Sequence, residues 1–253
     1  ETGVVTDDLV LWQIKPWREY SWLLHGFTTR SIGNLALHTN DRPEAVLHRR
    51  ELLAERVKVF TTEWVAAQQV HGDQIVTVTE ENQGYGAFSY DTAFPATDGL
   101  ITDRKRTFLT TYYADCVPLY FLAPEQRVIA LAHAGWRGTA KEIGRKLVFR
   151  LINDYRIDVK SIQVGIAPSV GSCCYCVDEE VAKQFPEKAL KNATHGKYFL
   201  DLTEANKLQL IESGIEPANI FCANVCTCCE SEFFSYRREG EKAGRMAAFI
   251  MIK

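Results

Sequence analysis

Several things are scarce or missing in this sequence, and each excludes a class of protein. Across 253 residues no uninterrupted apolar run approaches the ~18 residues of a membrane-spanning helix, which argues against a membrane partner. Residues 1–5 carry neither the basic flank nor the small-residue cleavage site of a signal peptide. The net charge of −3 lacks the basic excess that a nucleic-acid partner demands. Only six histidines are present and none forms a His-x-His pair, so the ligands for a type 1 copper plus a trinuclear cluster are wanting. There is no Walker phosphate loop and no Gly-x-Gly-x-x-Gly dinucleotide turn. Without a Gly-x-Ser-x-Gly elbow, a Ser–His–Asp hydrolase of that type is also excluded. No acidic pair stands out for glycoside chemistry, and no repeat, linker or low-complexity segment divides the chain. With 46% hydrophobic and 24% charged residues, residues 1–253 read as one compact domain of interleaved strands and helices.

Cysteine, by contrast, is plentiful. The eight fall into two clusters, Cys173/Cys174/Cys176 and Cys222/Cys226/Cys228/Cys229, with Cys116 alone. That clustering fits reduced thiols in a cytoplasmic protein better than a disulfide framework. Cys173-x-x-Cys176 and Cys226-x-x-Cys229 have the spacing of a four-cysteine structural zinc site. The intervening 49 residues (177–225) are long for a zinc ribbon, which counts against it.

The most informative stretch lies between Ala114 and Gly138. Apolar runs at 119–123 and 128–132 flank a polar turn and predict a hairpin that brings Cys116 and His133 to one end. His71, ending a strand predicted over 64–70, can join them. A thiolate and two imidazoles with a fourth position open suit a catalytic zinc. The competing reading makes His71 and His133 hydrogen-bonded loop histidines and Cys116 a small buried residue.

Further strands are predicted at 9–14, 75–79, 107–113, 162–166, 220–225, 233–238 and 246–252, and a helix from Pro43 to about Val57 behind the capping carboxylate of Asp41. Arg49 and Arg50 on it read as a solvated face. Thr139 and Glu142 form a capping-box pattern before apolar residues at helical spacing. The glycines ahead of that helix leave open N–H groups that can bind an anion, with Arg137 alongside. Asp178–Phe185 reads as a short helix, and Asp201 caps another that Gly214 ends.

Taken together, Gln69-Val70-His71-Gly72, Asp98-Gly99, Ala114–Pro118, Ala132–Gly138, Gly165–Gly171 with Cys173-Cys174-Tyr175, Cys226-Thr227 and Phe233–Arg238 resemble the YfiH/YlmD family, formerly described as multicopper polyphenol oxidase or laccase. The resemblance spans Gly26 to Ile252. It implies an α+β fold, a four-layer α/β/β/α sandwich of mixed sheets shared with cytotoxic-necrotizing-factor-like cysteine hydrolases. It also implies zinc on His71, Cys116 and His133, with copper as a conceivable occupant. The activity it implies is phosphorolysis of adenosine, inosine and S-methyl-5′-thioadenosine, together with adenosine deamination at the same site. Two features depart from the family pattern: the short loop Ser31–Leu35, and the additional cysteines Cys176, Cys228 and Cys229.

On that basis Asp115 is a candidate proton shuttle or support for its neighbouring ligand. Arg137, the helix start at Gly138, Arg49 and Arg237 are candidates for phosphate. Tyr175 and Phe234 are candidates for stacking on the base, and Asn34 in the short loop for the pocket rim. The rival readings are a copper-dependent phenol oxidase, a hydrolase of peptidoglycan precursors with Cys116 as nucleophile and His133 as base, and a zinc-stabilised binding module.

Overall fold

The computed structural model describes residues 3–6 and 9–253, and these form three sheets and six α-helices. One six-stranded sheet runs, in spatial order, β1 (Gly3–Thr6), β2 (Leu9–Trp12), β3 (Leu23–Thr28), β15 (Met246–Ile252), β7 (Phe108–Tyr113) and β4 (Trp64–Ala66). The other runs β14 (Ile220–Cys222), β10 (Gln163–Ile166), β8 (Val117–Ala123), β9 (Val128–Ala134), β6 (Gly99–Thr102) and β5 (Ile75–Thr77). Both are mixed: β4 lies parallel to β7, β5 to β6 and β14 to β10, and the remaining neighbours are antiparallel. A small antiparallel sheet orders β11 (Cys176–Asp178), β13 (Lys197–Leu200) and β12 (Leu190–Asn192).

Strand alternation builds the layers. On β8, Tyr120 and Leu122 point toward the first sheet and pack with Phe27, Leu109 and Ile250, while Leu119 and Phe121 point the other way. That outer face is covered by α3 (Ile143–Tyr155) through Ile143, Leu147 and Leu151, and by α5 (Leu202–Glu212) through Leu210. The first sheet's outer face, with Trp64, Phe108 and Phe249, receives Leu53 and Ala54 of α1 (Pro43–Val57). The order is therefore helix, sheet, sheet, helix, the four layers that the resemblance implies. Strands covered on both sides explain why β7, β8, β9 and β15 are buried without a break and largely apolar, with Thr110, Thr111 and His133 as the polar exceptions. Two tyrosines cross the sheet interface: Tyr120 Oη donates to the Gly26 carbonyl at 2.6 Å and Tyr113 Oη to that of Ala132 at 3.1 Å. No helix of the described residues is long and apolar enough to cross a membrane.

Several expectations change. Residues 233–238 are not a strand: Phe233 is a buried anchor, and Ser235 caps the short α6 (Tyr236–Glu239) by accepting the Arg238 N–H at 3.2 Å. Thr139 is no cap either. It lies inside α2 (Trp136–Ala140), buried under Asn206, while Glu142 starts α3 with a left-handed φ of 60° and no side-chain cap. Asp41 does not cap α1, whose cap position is Arg42; its carboxylate pairs instead with Arg49. Arg50 is the reverse of a solvated side chain. It is 2% exposed and donates to the carbonyls of Leu35, Gly86 and Ala87. The helix expected over 178–185 shrinks to α4 (Glu179–Ala182), because Asp178 belongs to β11. The strands expected to 70, 79 and 225 stop at Ala66, Thr77 and Cys222.

Candidate metal centre and pocket

The β8–β9 hairpin holds its register over seven pairs, with Val117 opposite Ala134 and Pro118 opposite His133. Cys116, one residue before β8, therefore faces His133 near the end of β9. His71 arrives from the loop after β4, with its ring 4.8 Å from that of His133. The ligand atoms of His71, Cys116 and His133 all lie within 4.8 Å of one another.

Asp98 organises this convergence, a role that the sequence reading did not assign to it. It sits just before β6, fully buried, and accepts the backbone N–H groups of Val70 (3.2 Å), His71 (3.0 Å) and Gly72 (2.7 Å). His133 Nδ1 donates to Asp98 Oδ1 at 2.7 Å, which leaves Nε2 for a ligand. The only sequence signal was an Asp-Gly step at the start of a strand, and its partners lie 26 to 35 residues away. His71 has φ 59° and Asp115 φ 89°, left-handed conformations that cost a non-glycine residue energy and that the surrounding bonds hold in place. Gly135 is needed for proximity: a Cβ there would lie 2.8 Å from the His71 ring and 3.0 Å from Cys116 Sγ.

Burial opposes charge on Cys116, yet the facing His133 and His71 pull its thiol down to about 6. Burial likewise opposes a protonated His133, but Cys116 and Asp98 hold it up at about 9. Without a metal these shifts favour a thiolate–imidazolium pair between half-buried Cys116 and buried His133. Two imidazole nitrogens and a thiolate are also a donor set suited to a borderline-soft divalent ion, so the residues fit such an ion.

The triad opens into a cavity of about 700 Å³, within the range of small-molecule sites. Of the sequence candidates, Arg137, Tyr175, Arg237 and Asp115 line it. Gln69, His38, Tyr236 and Arg245 line it as well, and the sequence reading had assigned them no role. Desolvation of its ring among the aromatic and cationic groups of the pocket wall, then the Arg245 charge, pushes His38 down to about 4, although the residue as a whole is exposed. The Arg237 guanidinium lies 5.0 Å over the Tyr175 ring and donates to the Cys176 carbonyl at 2.9 Å. Asp115 is a hub rather than a free shuttle. Its Oδ1 accepts from Thr227 Oγ1 at 2.7 Å, and its Oδ2 from Ser235 Oγ at 3.0 Å and the Arg237 N–H at 2.6 Å.

Four candidates sit elsewhere. Gly138 lies inside α2 instead of at an open helix start, and the place of a Cβ is filled by the Gly72 and His133 carbonyls at 3.0 and 3.2 Å. Arg49 is engaged by Asp41 at 2.5 Å and by the Asn34 carbonyl at 3.3 Å. Asn34 spends its side chain on Ala36, Thr39 and Asp41, and its Oδ1 accepts the Arg245 N–H at 2.9 Å. Phe234 packs beneath Arg30, 5.0 Å from ring to guanidinium. None of the four lines the cavity; Asn34 and, against Gly244, Phe234 support the loop that carries Arg245, and Arg49 holds Asn34 and Asp41 behind it.

Comparison with known proteins places this geometry in context. Residues 25–253 match the profile of the family described as multi-copper polyphenol oxidoreductase laccase. The chain is 42% identical over 225 residues to the purine nucleoside phosphorylase YlmD of Geobacillus stearothermophilus, covering 86% of this chain and 82% of that one. It is 37% identical over 247 residues to the purine nucleoside phosphorylase YlmD of Bacillus subtilis, covering 91% and 89%. The crystal structure of YfiH from Bacillus licheniformis superimposes with a TM-score of 0.94 at 37% identity, covering 99% of each chain. That of YlmD from Geobacillus stearothermophilus gives 0.93 at 36% identity, covering 99% and 98%.

Proposed function

The chain belongs to the YfiH/YlmD family, whose profile is described as multi-copper polyphenol oxidoreductase laccase, and from that premise and the pocket's geometry we propose that it is a metal-dependent purine nucleoside phosphorylase. The observation that carries the reading is a His–Cys–His triad on the wall of a cavity whose lining also holds three arginines and a tyrosine face. Its substrates are adenosine, inosine and S-methyl-5′-thioadenosine with inorganic phosphate. Its products are the free base and the ribose (or methylthioribose) 1-phosphate. Deamination of adenosine is a further activity of the same pocket.

His71, Cys116 and His133 hold the ion, which we assign as zinc; when bound it supplies Lewis acidity toward an oxygen or a water at that spot. Asp98 fixes the His133 tautomer and gathers the loop that carries His71. Arg137, Arg237 and Arg245 provide the charge and the planar donors that a phosphate dianion needs beside the ribose C1′. Tyr175, flattened under Arg237, offers the base a stacking face. Asp115 positions the Arg237 turn through its hydrogen bonds. Eight free cysteines suit the reducing cytoplasm in which we place the enzyme.

The copper phenol-oxidase reading finds little support in the side chains. Among the described residues His71/Cys116/His133 is the only group of potential metal ligands that contains histidine. His25 is a core residue whose ring meets the Ile14 backbone, and burial takes it down to about 4. A hydrolase reading has one favourable observation: Cys116, His133 and Asp98 stand in the order of nucleophile, base and orienting carboxylate. The second imidazole at Cys116, His71, favours a ligand over a nucleophile.

The test incubates metal-quantified protein with inosine and phosphate, beside Cys116→Ala and His133→Ala variants. Hypoxanthine and ribose 1-phosphate from the parent are expected, with at least a ~10²-fold loss in each variant. Bound zinc without product in the parent overturns the reading.

A further inference from the structure

The second cysteine cluster lies outside the pocket, and its geometry does not depend on the phosphorylase reading. The turn after Ala167-Pro168 and the turn after β14 are brought together by a parallel bridge between Ser169 and Cys226. Two bonds lock that bridge: Ser169 N–H to the Val225 carbonyl at 3.2 Å and Thr227 N–H to the Ser169 carbonyl at 3.0 Å. Chain adjacency at β10 and β14 thus closes the 49-residue gap (177–225) that made a shared site look remote in the sequence.

The four thiols that meet are not the two Cys-x-x-Cys pairs. Cys176 enters β11 and pairs with Phe199, which carries its side chain away, and Cys174 takes its place. The Sγ atoms of Cys173, Cys174, Cys226 and Cys229 all lie within 4.8 Å of one another, with Cys229 3.6 Å from Cys173 and 3.5 Å from Cys174. Zinc–sulfur bonds of ~2.3 Å in a tetrahedron put sulfurs about 3.8 Å apart, which matches this spacing. A disulfide needs ~2.05 Å, and all eight cysteines are free. An iron–sulfur cluster spreads its thiolates over different irons and so requires a wider set.

Two further features shape the cluster, in which burial and the neighbouring thiols push Cys173 and Cys174 up while Cys226 is pulled down. The Gly171 N–H points at Cys226 Sγ at 3.2 Å, and the Cys228 and Cys229 N–H groups also turn toward it. A Cβ at Gly171 would lie 3.2 Å from both Cys173 Sγ and Cys226 Cβ, so glycine is what allows the two turns to close. Arg238 folds the second turn by donating to the carbonyls of Thr227, Cys228, Glu230 and Phe233.

We propose that Cys173, Cys174, Cys226 and Cys229 bind one Zn²⁺ as a closed tetrathiolate, a structural site separate from the His71–Cys116–His133 triad. Four thiolates fill the tetrahedron and leave no open position, so this ion clips two turns together and does no chemistry. One turn leads into Tyr175 and the other carries Thr227, the partner of Asp115, so the clip braces two walls of the pocket from behind.

The experiment counts zinc and iron in the full-length protein, purified reduced and without added metal. The parent is expected to hold two zinc ions per chain. One is expected in a His71→Ala/Cys116→Ala variant and one in a Cys174→Ser/Cys226→Ser variant, the latter with a Tm lowered by at least ~5 °C. Cys176→Ser/Cys228→Ser, outside the ligand set, should retain two. Cobalt added to metal-stripped His71→Ala/Cys116→Ala protein should give the strong sulfur-to-metal absorption of a tetrahedral thiolate site. If Cys174→Ser/Cys226→Ser does not fold, the count on His71→Ala/Cys116→Ala still decides. No zinc there, iron in its place, or intact-mass evidence of disulfides among these cysteines overturns the assignment.

Discussion

At the scale of single residues, the Cys116–His133 pair has a charge state that can be read chemically. With the thiol pulled to about 6 and the imidazole held at about 9, both are ionised between those values in metal-free protein. The thiol lies below its ordinary value, so the pair's contribution is lost as pH falls through about 6. The imidazole lies above its own, so the contribution is lost again as pH rises through about 9. Alkylation of Cys116 in chelator-treated protein should therefore rise with a midpoint near 6 instead of the ~8.5 of a free thiol. In His133→Ala the midpoint should return toward that higher value. A parent midpoint that coincides with that of His133→Ala would refute the ion pair. The triad itself was legible in the sequence because each ligand stands beside a strand-breaking residue in a distinctive motif. Asp98 and Arg245 were not, since their importance comes from bonds that the chain makes only once folded.

At the scale of elements, the strongly periodic pieces were readable: the hairpin, α1, α3, α5 and β15. Misreadings arose where tertiary packing overrode local pattern. Phe233-Phe234 looks like a strand, but Phe233 is drawn into the inter-sheet core and the chain turns at Ser235. Thr139 looks like a cap but is buried against α5 through Asn206. The small sheet β11–β13–β12 escaped notice because its strands are short and their alternation is diluted by Lys191, Asn192 and Lys197. Arg50 illustrates the same point in energetic form. Its guanidinium joins α1 to three carbonyls from two loops and lies 5.3 Å over Trp64 and 5.0 Å over Tyr112. Arg50→Met should cost roughly 3–5 kcal/mol by orphaning those buried carbonyls. Urea unfolding should show a lower midpoint at unchanged m. Arg50→Lys should recover only part of the loss, because an ammonium cannot reproduce the planar fork.

At the scale of the whole molecule, the two large sheets are joined mainly by apolar contact, with the Tyr120 and Tyr113 hydroxyls as polar ties running in opposite directions. Tyr120→Phe keeps the ring and leaves the Gly26 carbonyl without that donor. It should lower stability by about 1–2 kcal/mol and Tm by roughly 3–6 °C, with zinc content unchanged. A scanning-calorimetry trace identical to the parent's would show that the tie is dispensable. The four-layer order itself followed from family resemblance, whereas composition and periodicity alone reached only interleaved strands and helices. The hairpin has another consequence. Its turn at 124–127 is exposed from Glu125 to Arg127 and stands seven residues, about 23 Å of strand, from the metal ligands. Sequence can therefore be spliced in at that tip, be it a fluorophore tag, a tether or a permuted pair of chain ends, while the seven-pair ladder keeps the far end in register. The protein thus offers a handle for surface attachment that is mechanically insulated from the chemistry it carries.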